Sequence, residues 1–157
     1  MAPRQTRSEY DSSGTLAVRD GQLIYESAAL DSWRLPVADI RLIGEWTDES
    51  GPFADDYFLV FVTADGQFHQ ASFYAQGMLK ALIALEGPLD RSLRTDLAGS
   101  TDLASRIVHP AELEGRPLYR FLPQPIRRPW RWLKHRLGIR RVTARPTAEV
   151  TRYLAGR

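Results

Sequence analysis

The chain has 157 residues, 43% of them hydrophobic and 25% charged, which fits one ordinary soluble domain with an appendage. It has no cysteine, so a disulfide framework, thiol chemistry, Fe–S clusters and cysteine-based zinc sites are excluded. The formal net charge of +2 hides a split: residues 1–115 carry 9 Lys and Arg against 18 Asp and Glu, while residues 116–157 carry 12 against the single acid Glu149, and so strong an asymmetry implies an anionic partner for the basic end, be it a membrane surface, a nucleic acid or the acidic body itself.

Met1 to Gly14 is polar, has no secretory apolar core and reads as a loose tail over residues 1–13. From Gly14 to Gly87 the pattern is that of a sheet. Thr15 to Arg19 alternates, with Leu16 and Val18 on one face. Asp20-Gly21 is a strong hairpin signal, because the turn needs positive φ that Gly adopts cheaply. Gln22 to Ser27 returns, with Leu23 and Tyr25 alternating against Ile24. Trp33 to Val37 is a short strand, and Pro36 suits an edge or a strand end. Ile40 to Thr47 follows, with Ile40, Leu42, Gly44 and Trp46 on one parity. A polar loop centred on Gly51-Pro52 leads to Tyr57 to Thr63, whose continuous apolar run implies burial on both sides or at a barrel wall.

Asp65-Gly66 is a second hairpin turn, and Gln67 to Tyr74 is its return strand. Then the period changes. Met78, Leu79, Leu82, Ile83 and Leu85 recur at helical spacing, and Gly87-Pro88 is a stop signal. The expected core is Leu16, Val18, Ile24, Ile40, Leu42, Phe58, Val60, Val62, Phe73, Leu79, Leu82 and Ile83. About six strands followed by one amphipathic helix predict an α+β domain: a small antiparallel half-barrel or barrel capped by that helix.

Several stretches carry a resemblance. They are Gly14-Thr15-Leu16 through the Asp20-Gly21 turn, the W-x-L-P-V-x-D-I run from Trp33 to Ile40, the Asp65-Gly66 hairpin, and the closing helix from Gln76 to Glu86. Together they resemble the pleckstrin-homology-like superfamily, in particular its bacterial PH and GRAM-type domains, over residues 14–87. The resemblance implies a non-enzymatic interaction module with no cofactor. Two features depart from the family pattern. Six strands stand where the family usually has seven. The first hairpin loop, Asp20-Gly21-Gln22, is acidic where lipid-binding members are basic, so the family's usual phosphoinositide site does not carry over.

Residues 88–125 are too few to bury a core alone and read as an extension packed on the body. Leu89, Leu93 and Leu97 predict an amphipathic helix ending near Gly99. Ser100 or Thr101 can cap a second short helix through Arg106. Ile107-Val108 reads as extended, and Leu118 to Leu122 as an apolar segment able to add a strand or pair with a second copy.

Residues 126–157 form a basic, Arg- and Trp-rich helical or irregular end. Arg127, Arg128, Arg131, Lys134, Arg136, Arg140 and Arg141 crowd one stretch, with Trp130 and Trp132 among them. Pro129 can open a helix on which Trp130, Leu133 and Leu137 share a face. A basic helix with Trp and Leu on one side has the composition of an interfacial membrane helix. The same residues could bind nucleic-acid phosphates, with Trp stacked on bases, or a protein partner. They could equally pack on the body, their charges neutralised by its acids. Nineteen of the 21 basic residues are Arg, which a GC-rich genome explains as well as a phosphate-binding role does. Pro146 opens a last helix that gathers Val150, Tyr153 and Leu154.

Catalytic chemistry has no motif to stand on. His69, His109 and His135 are scattered without metal-ligand spacing. Asp48-Glu49 and Asp55-Asp56 are neighbouring acids in a polar loop, where solvation is the ordinary fate. The longest apolar runs, Phe58 to Val62 and Ala81 to Leu85, fall far below the roughly 18 residues that span a bilayer. The expectation is a cytoplasmic binding module without catalytic residues or a metal, peripheral to the inner face of a membrane.

Overall fold

A computed structural model describes residues 13–48, 55–100, 102–123 and 142–156. Asp20 and Gly21 both take positive φ, 49° and 71°, so strands β1 (Thr15–Arg19) and β2 (Gln22–Glu26) close directly as a two-residue hairpin. Strand β3 (Trp33–Pro36) adds to β2 and ends on its proline, where a missing donor is tolerated at a sheet edge. These three form the first sheet, in the order β1-β2-β3. Strands β4 (Ile40–Thr47), β5 (Tyr57–Thr63), β6 (Phe68–Ser72) and β7 (Ala104–His109) form the second, in the order β6-β5-β4-β7, antiparallel throughout.

Every residue of β5 is buried, because the second sheet is a middle layer. On one side Ile43, Leu59 and Phe61 pack against Leu23, Tyr25 and Leu35 of the first sheet and against helix α1 (Met78–Leu89). On the other side Leu42, Val60, Val62 and Ile107 meet Leu118 and Val150. That outer layer is a two-stranded antiparallel ribbon, β8 (Tyr119–Pro123) with β9 (Val142–Pro146), followed by helix α2 (Ala148–Ala155). The architecture is therefore α+β with two helices and three antiparallel sheets among the described residues.

Gly77 at the start of α1 holds φ +83, and a Cβ there would lie 2.6 Å from the Leu16 carbonyl oxygen. This close approach seats the helix against β1, where Gln76 and Thr15 form a parallel bridge.

Several expectations are corrected. The buried face of α1 is Met78, Ala81, Leu82 and Leu85, whereas Leu79 and Ile83 are 65% and 69% exposed. Seven of the eight residues from Met78 to Leu85 are apolar, so spacing alone admits more than one inward face. In β2 it is Leu23 and Tyr25 that point into the core, with Ile24 half-buried. A bulge between Ile40 and Leu42 puts them on opposite faces, Ile40 inward with Ile43 and Leu42 outward.

Gly87-Pro88 does not stop α1, which runs to Leu89 and closes on Asp90 in the left-handed region. Residues 91–99 form no helix, and the second short helix is replaced by β7. That strand joins the sheet beside β4. Ser13, assigned to the loose tail, is buried, and its carbonyl accepts 2.8 Å from the Tyr25 hydroxyl. Residues 1–12, the rest of that predicted tail, lie outside the described residues.

Residues 126–157 are likewise not a simple tail. The register pairs Pro123, the last residue of β8, with Val142, the first of β9. Thr147 then caps α2, accepting from the Val150 amide, while Glu149 in its first turn pairs with Arg116 at 2.6 Å. Val150, Tyr153 and Leu154 share the inward face, as their spacing predicts. Leu118 is fully buried, and Tyr119–Pro123 pairs along one edge with β9.

Candidate functional site

Two places concentrate charge: a buried ion cluster on the inner face of the middle sheet, and the ribbon that carries the basic segment. The cluster is built from strand register. Glu45 of β4 lies opposite Arg106 of β7 and is diagonal to Tyr57 of β5. Its side chain is fully buried. It accepts from Arg106 Nη1 at 3.1 Å, from the Asp96 amide at 2.9 Å, from the Leu97 amide at 3.4 Å and from the Tyr57 hydroxyl.

Arg106 also donates to the Arg94 carbonyl at 2.9 Å and reaches Glu114 at 3.4 Å, and Glu114 pairs in turn with Arg91. Burial, then the bond to Glu45, pushes the Tyr57 phenol far above its ordinary range. The hydrogen bond from Arg91 holds the Glu114 carboxyl below the usual carboxylate range. Burial, and then the Arg91 charge, lowers His109 below the ordinary histidine value. Arg91 Nη1 and His109 Nδ1 are buried without a hydrogen-bond partner.

This arrangement saturates the Glu45 carboxylate and closes it to solvent. A general base or a metal ligand needs a free lone pair facing a space, and Glu45 offers none. Among the described residues no three His, Asp or Glu side chains group as a metal site. The acids of the 48–56 loop that are described serve structure too: Asp55 accepts from the Ser13 hydroxyl at 3.0 Å and Asp56 from the Tyr74 hydroxyl at 2.6 Å. His69 stacks obliquely on Trp33, with ring centroids 5.4 Å apart. An open depression of about 500 Å³ beside β1 is lined by Gly14, Thr15, Ser27 and Gln76, with Glu26 its only titratable side chain among the described residues.

The second place is the ribbon. Its inner face is aromatic. Trp46 stacks on Phe58 at 5.0 Å between centroids and meets Tyr119 and Phe121, each at 6.2 Å. The Trp46 indole N–H donates to Gln70 Oε1 at 3.1 Å, which fixes the ring. The outer face carries Arg120 and Arg145, directly opposed and both exposed. Arg127, Arg128, Trp130, Arg131, Trp132, Lys134, Arg136, Arg140 and Arg141 lie outside the described residues, as does His135.

Sequence reasoning named that basic stretch but missed Glu45 and its partners. A signal was present: one acid between Gly44 and Trp46, on the parity of Ile43 and Thr47, in a strand rich in apolar residues. It also missed the Arg120/Arg145 opposition, which depends on a register between strands separated by 18 residues.

Three tyrosines make stability sensitive to alkali. Burial holds Tyr119 up at about 12, and the hydrogen bond to Asp56 followed by burial does the same for Tyr74, while Tyr57 is raised further. Unfolded tyrosine ionises near its ordinary value of 10.0. Above that pH the unfolded chain binds fewer protons than the fold, so stability is complete below pH 10 and falls as pH climbs through 12. Denaturant melts at successive pH values should show the fall, and Tyr119→Phe should make it shallower. A flat profile up to pH 12 would contradict the assignment.

Comparison with protein-family models, with curated proteins and with solved structures finds no match to this chain.

Proposed function

We propose that the chain is a non-catalytic interaction module of pleckstrin-homology-like architecture that docks on an anionic membrane surface through its basic segment. The observation that carries this reading is the combination of charge and register. Seven basic residues and two tryptophans between 124 and 141 are held at both ends by one antiparallel ribbon, and that ribbon is fixed to the body by Tyr119 and Phe121 against Trp46. The two strands that flank this stretch in the sequence pair with each other, so it begins and ends at one place on the protein. Each basic residue near an anionic surface contributes on the order of 1 kcal/mol, and the sequence spacing of Trp130, Leu133 and Leu137 is that of an insertable helix face.

Among the described ion pairs, Arg116 meets Glu149, while Glu45 and Glu114 meet Arg91 and Arg106. Two antiparallel three-strand meanders followed by a helix over the first sheet favour the architectural half of the reading. Among the described residues no helix is long and apolar enough to cross a membrane, so contact would be peripheral, and the inner leaflet facing the cytoplasm is the anionic one.

Sedimentation with anionic and neutral vesicles tests this. Wild-type chain should bind anionic vesicles, bind neutral ones weakly, and lose binding with salt. Changing Arg127, Arg128 and Arg131 to Glu should abolish binding, and Trp130→Ala with Trp132→Ala should weaken it. Binding that ignores lipid charge and all five changes sinks the proposal.

One observation favours a second reading, a protein adaptor. The outer face of α1 exposes Leu79 and Ile83 one turn apart, with Tyr74 exposed just before the helix. An exposed apolar ridge of this kind marks a contact surface for a protein partner or a second copy.

A further inference from the structure

We propose that Arg120 and Arg145 form a phosphate clamp on the outer face of the β8–β9 ribbon, receiving the phosphate headgroup of an anionic membrane lipid. This rests on the reading of the chain as an anionic-surface module, and it names a contact that the basic segment itself does not include.

The two arginines are direct cross-strand partners. Partners in an antiparallel pair share one face, with Cβ atoms about 5 Å apart. The other face is taken: Tyr119 and Phe121 pack on Trp46. Alternation therefore turns both guanidinium groups outward, and both residues are exposed. Neither forms an ion pair among the described residues, although nearby Arg116 has Glu149.

Like charges placed directly opposite one another work against strand pairing. A ribbon that keeps two of them in register, on a face that packing leaves free, is relieved by a shared anion. A phosphate group suits this best, since each planar guanidinium can donate two parallel hydrogen bonds to its oxygens.

The position favours a lipid over a nucleic acid. Arg120 lies three residues, about 10 Å, from the point where the chain leaves the ribbon. Leu122 and Thr143 are the next pair on the same face, toward that end. A single clamp beside an apolar residue matches one headgroup at the edge of an acyl layer. It provides no track for a polyanion, which the body's 18 acids against 9 basic residues would repel.

The test uses the full chain, with vesicles of phosphatidylcholine alone or doped with phosphatidic acid, and glycerol 3-phosphate as a soluble headgroup. Arg120→Ala and Arg145→Ala should each weaken binding to the doped vesicles by about fivefold, the equivalent of one charge near an anionic surface. Each should also leave Tm in phosphate-free buffer unchanged or raised, because one of two opposed charges is gone. Glycerol 3-phosphate should shift the Nε–H resonances of both arginines together. If vesicle binding survives both substitutions but is lost when Arg127, Arg128 and Arg131 become Glu, the clamp is wrong and the basic segment stands. If glycerol 3-phosphate binds but no anionic vesicle does, the lipid assignment falls together with the membrane reading. Binding to a single-stranded RNA with the same dependence on both arginines, and none to vesicles, overturns it in favour of nucleic acid. A lower Tm on either substitution also overturns it, because the pair would then be a structural support.

Discussion

Replacing Glu45 with alanine is expected to cost about 3–5 kcal/mol of stability, the range for breaking a buried ion pair from one side. The substitution strands Arg106, the Tyr57 hydroxyl and the amides of Asp96 and Leu97 at once. Each of these groups gave up water to reach the carboxylate, and a buried donor left unmade loses its full desolvation penalty. The effect should also be local. The Asp96 and Leu97 amides are both held by this one side chain, so hydrogen exchange at these two residues should rise well before the sheet opens. Glu45→Leu with Arg106→Leu should recover part of the loss, because the uncompensated charge disappears while the two amides and the phenol remain unpaired. A cost of about 1 kcal/mol or less, with those amides still protected, would remove Glu45 from this role.

Leu118→Ala is expected to cost about 2–5 kcal/mol, the range for emptying a fully buried leucine site. Leu118 joins the outer layer to the middle sheet, lying over Gly44 with Leu42, Val60, Val62, Ile107 and Val150 around it. A Cβ on Gly44 would stand 2.5 Å from Leu118 Cδ2. Gly44→Ala should therefore destabilise too, by about 1–3 kcal/mol through overpacking. The two changes meet at one point in space, so they should not add. In the double variant the new methyl enters the space that the leucine has vacated, and the combined loss should fall clearly below the sum. Denaturant midpoints of the four proteins measure this directly, and strict additivity would show that the contact does not carry the energy assigned to it.

Local signals of the sequence survived where local chemistry decides. Asp20-Gly21 and Asp65-Gly66 both close hairpins, the unbroken apolar run of β5 is buried on both sides, and Val150, Tyr153 and Leu154 gather on α2. The failures have a common cause, which is long-range competition for polar groups and faces. Leu89, Leu93 and Leu97 have helical spacing, yet Glu45 takes the Asp96 and Leu97 amides and the Glu86 carboxylate takes the Leu93 amide at 2.9 Å. Those are donors a helix would have needed for its own ladder. Residues 104–109 become a strand because β4 offers an unpaired edge, a fact no window of ten residues contains. The charge split was legible from the order of charged residues along the sequence. The opposition of Arg120 and Arg145 was not, because it exists only once β8 finds β9.

The middle sheet needs a cover on each side, and the two covers arrive at different times during synthesis. The first sheet and α1, which shield Leu59 and Phe61, are complete once Leu89 has been made. Phe58, Val60 and Val62 wait for Leu118, Tyr119 and Val150. The forty or so residues from His109, where the middle sheet is complete, to Val150 take a few seconds at about 5–20 residues per second. For that interval the nascent chain carries a formed sheet with one bare apolar wall. The strongly charged stretch 124–141 is translated within the same interval, so the wall is exposed while the growing end is at its most basic. Through residue 141 the formal charges cancel, the nine-acid excess of residues 1–115 being offset by nine basic residues from 116 to 141, so net repulsion does not keep neighbouring nascent chains apart and each wall depends on its own ribbon to cover it.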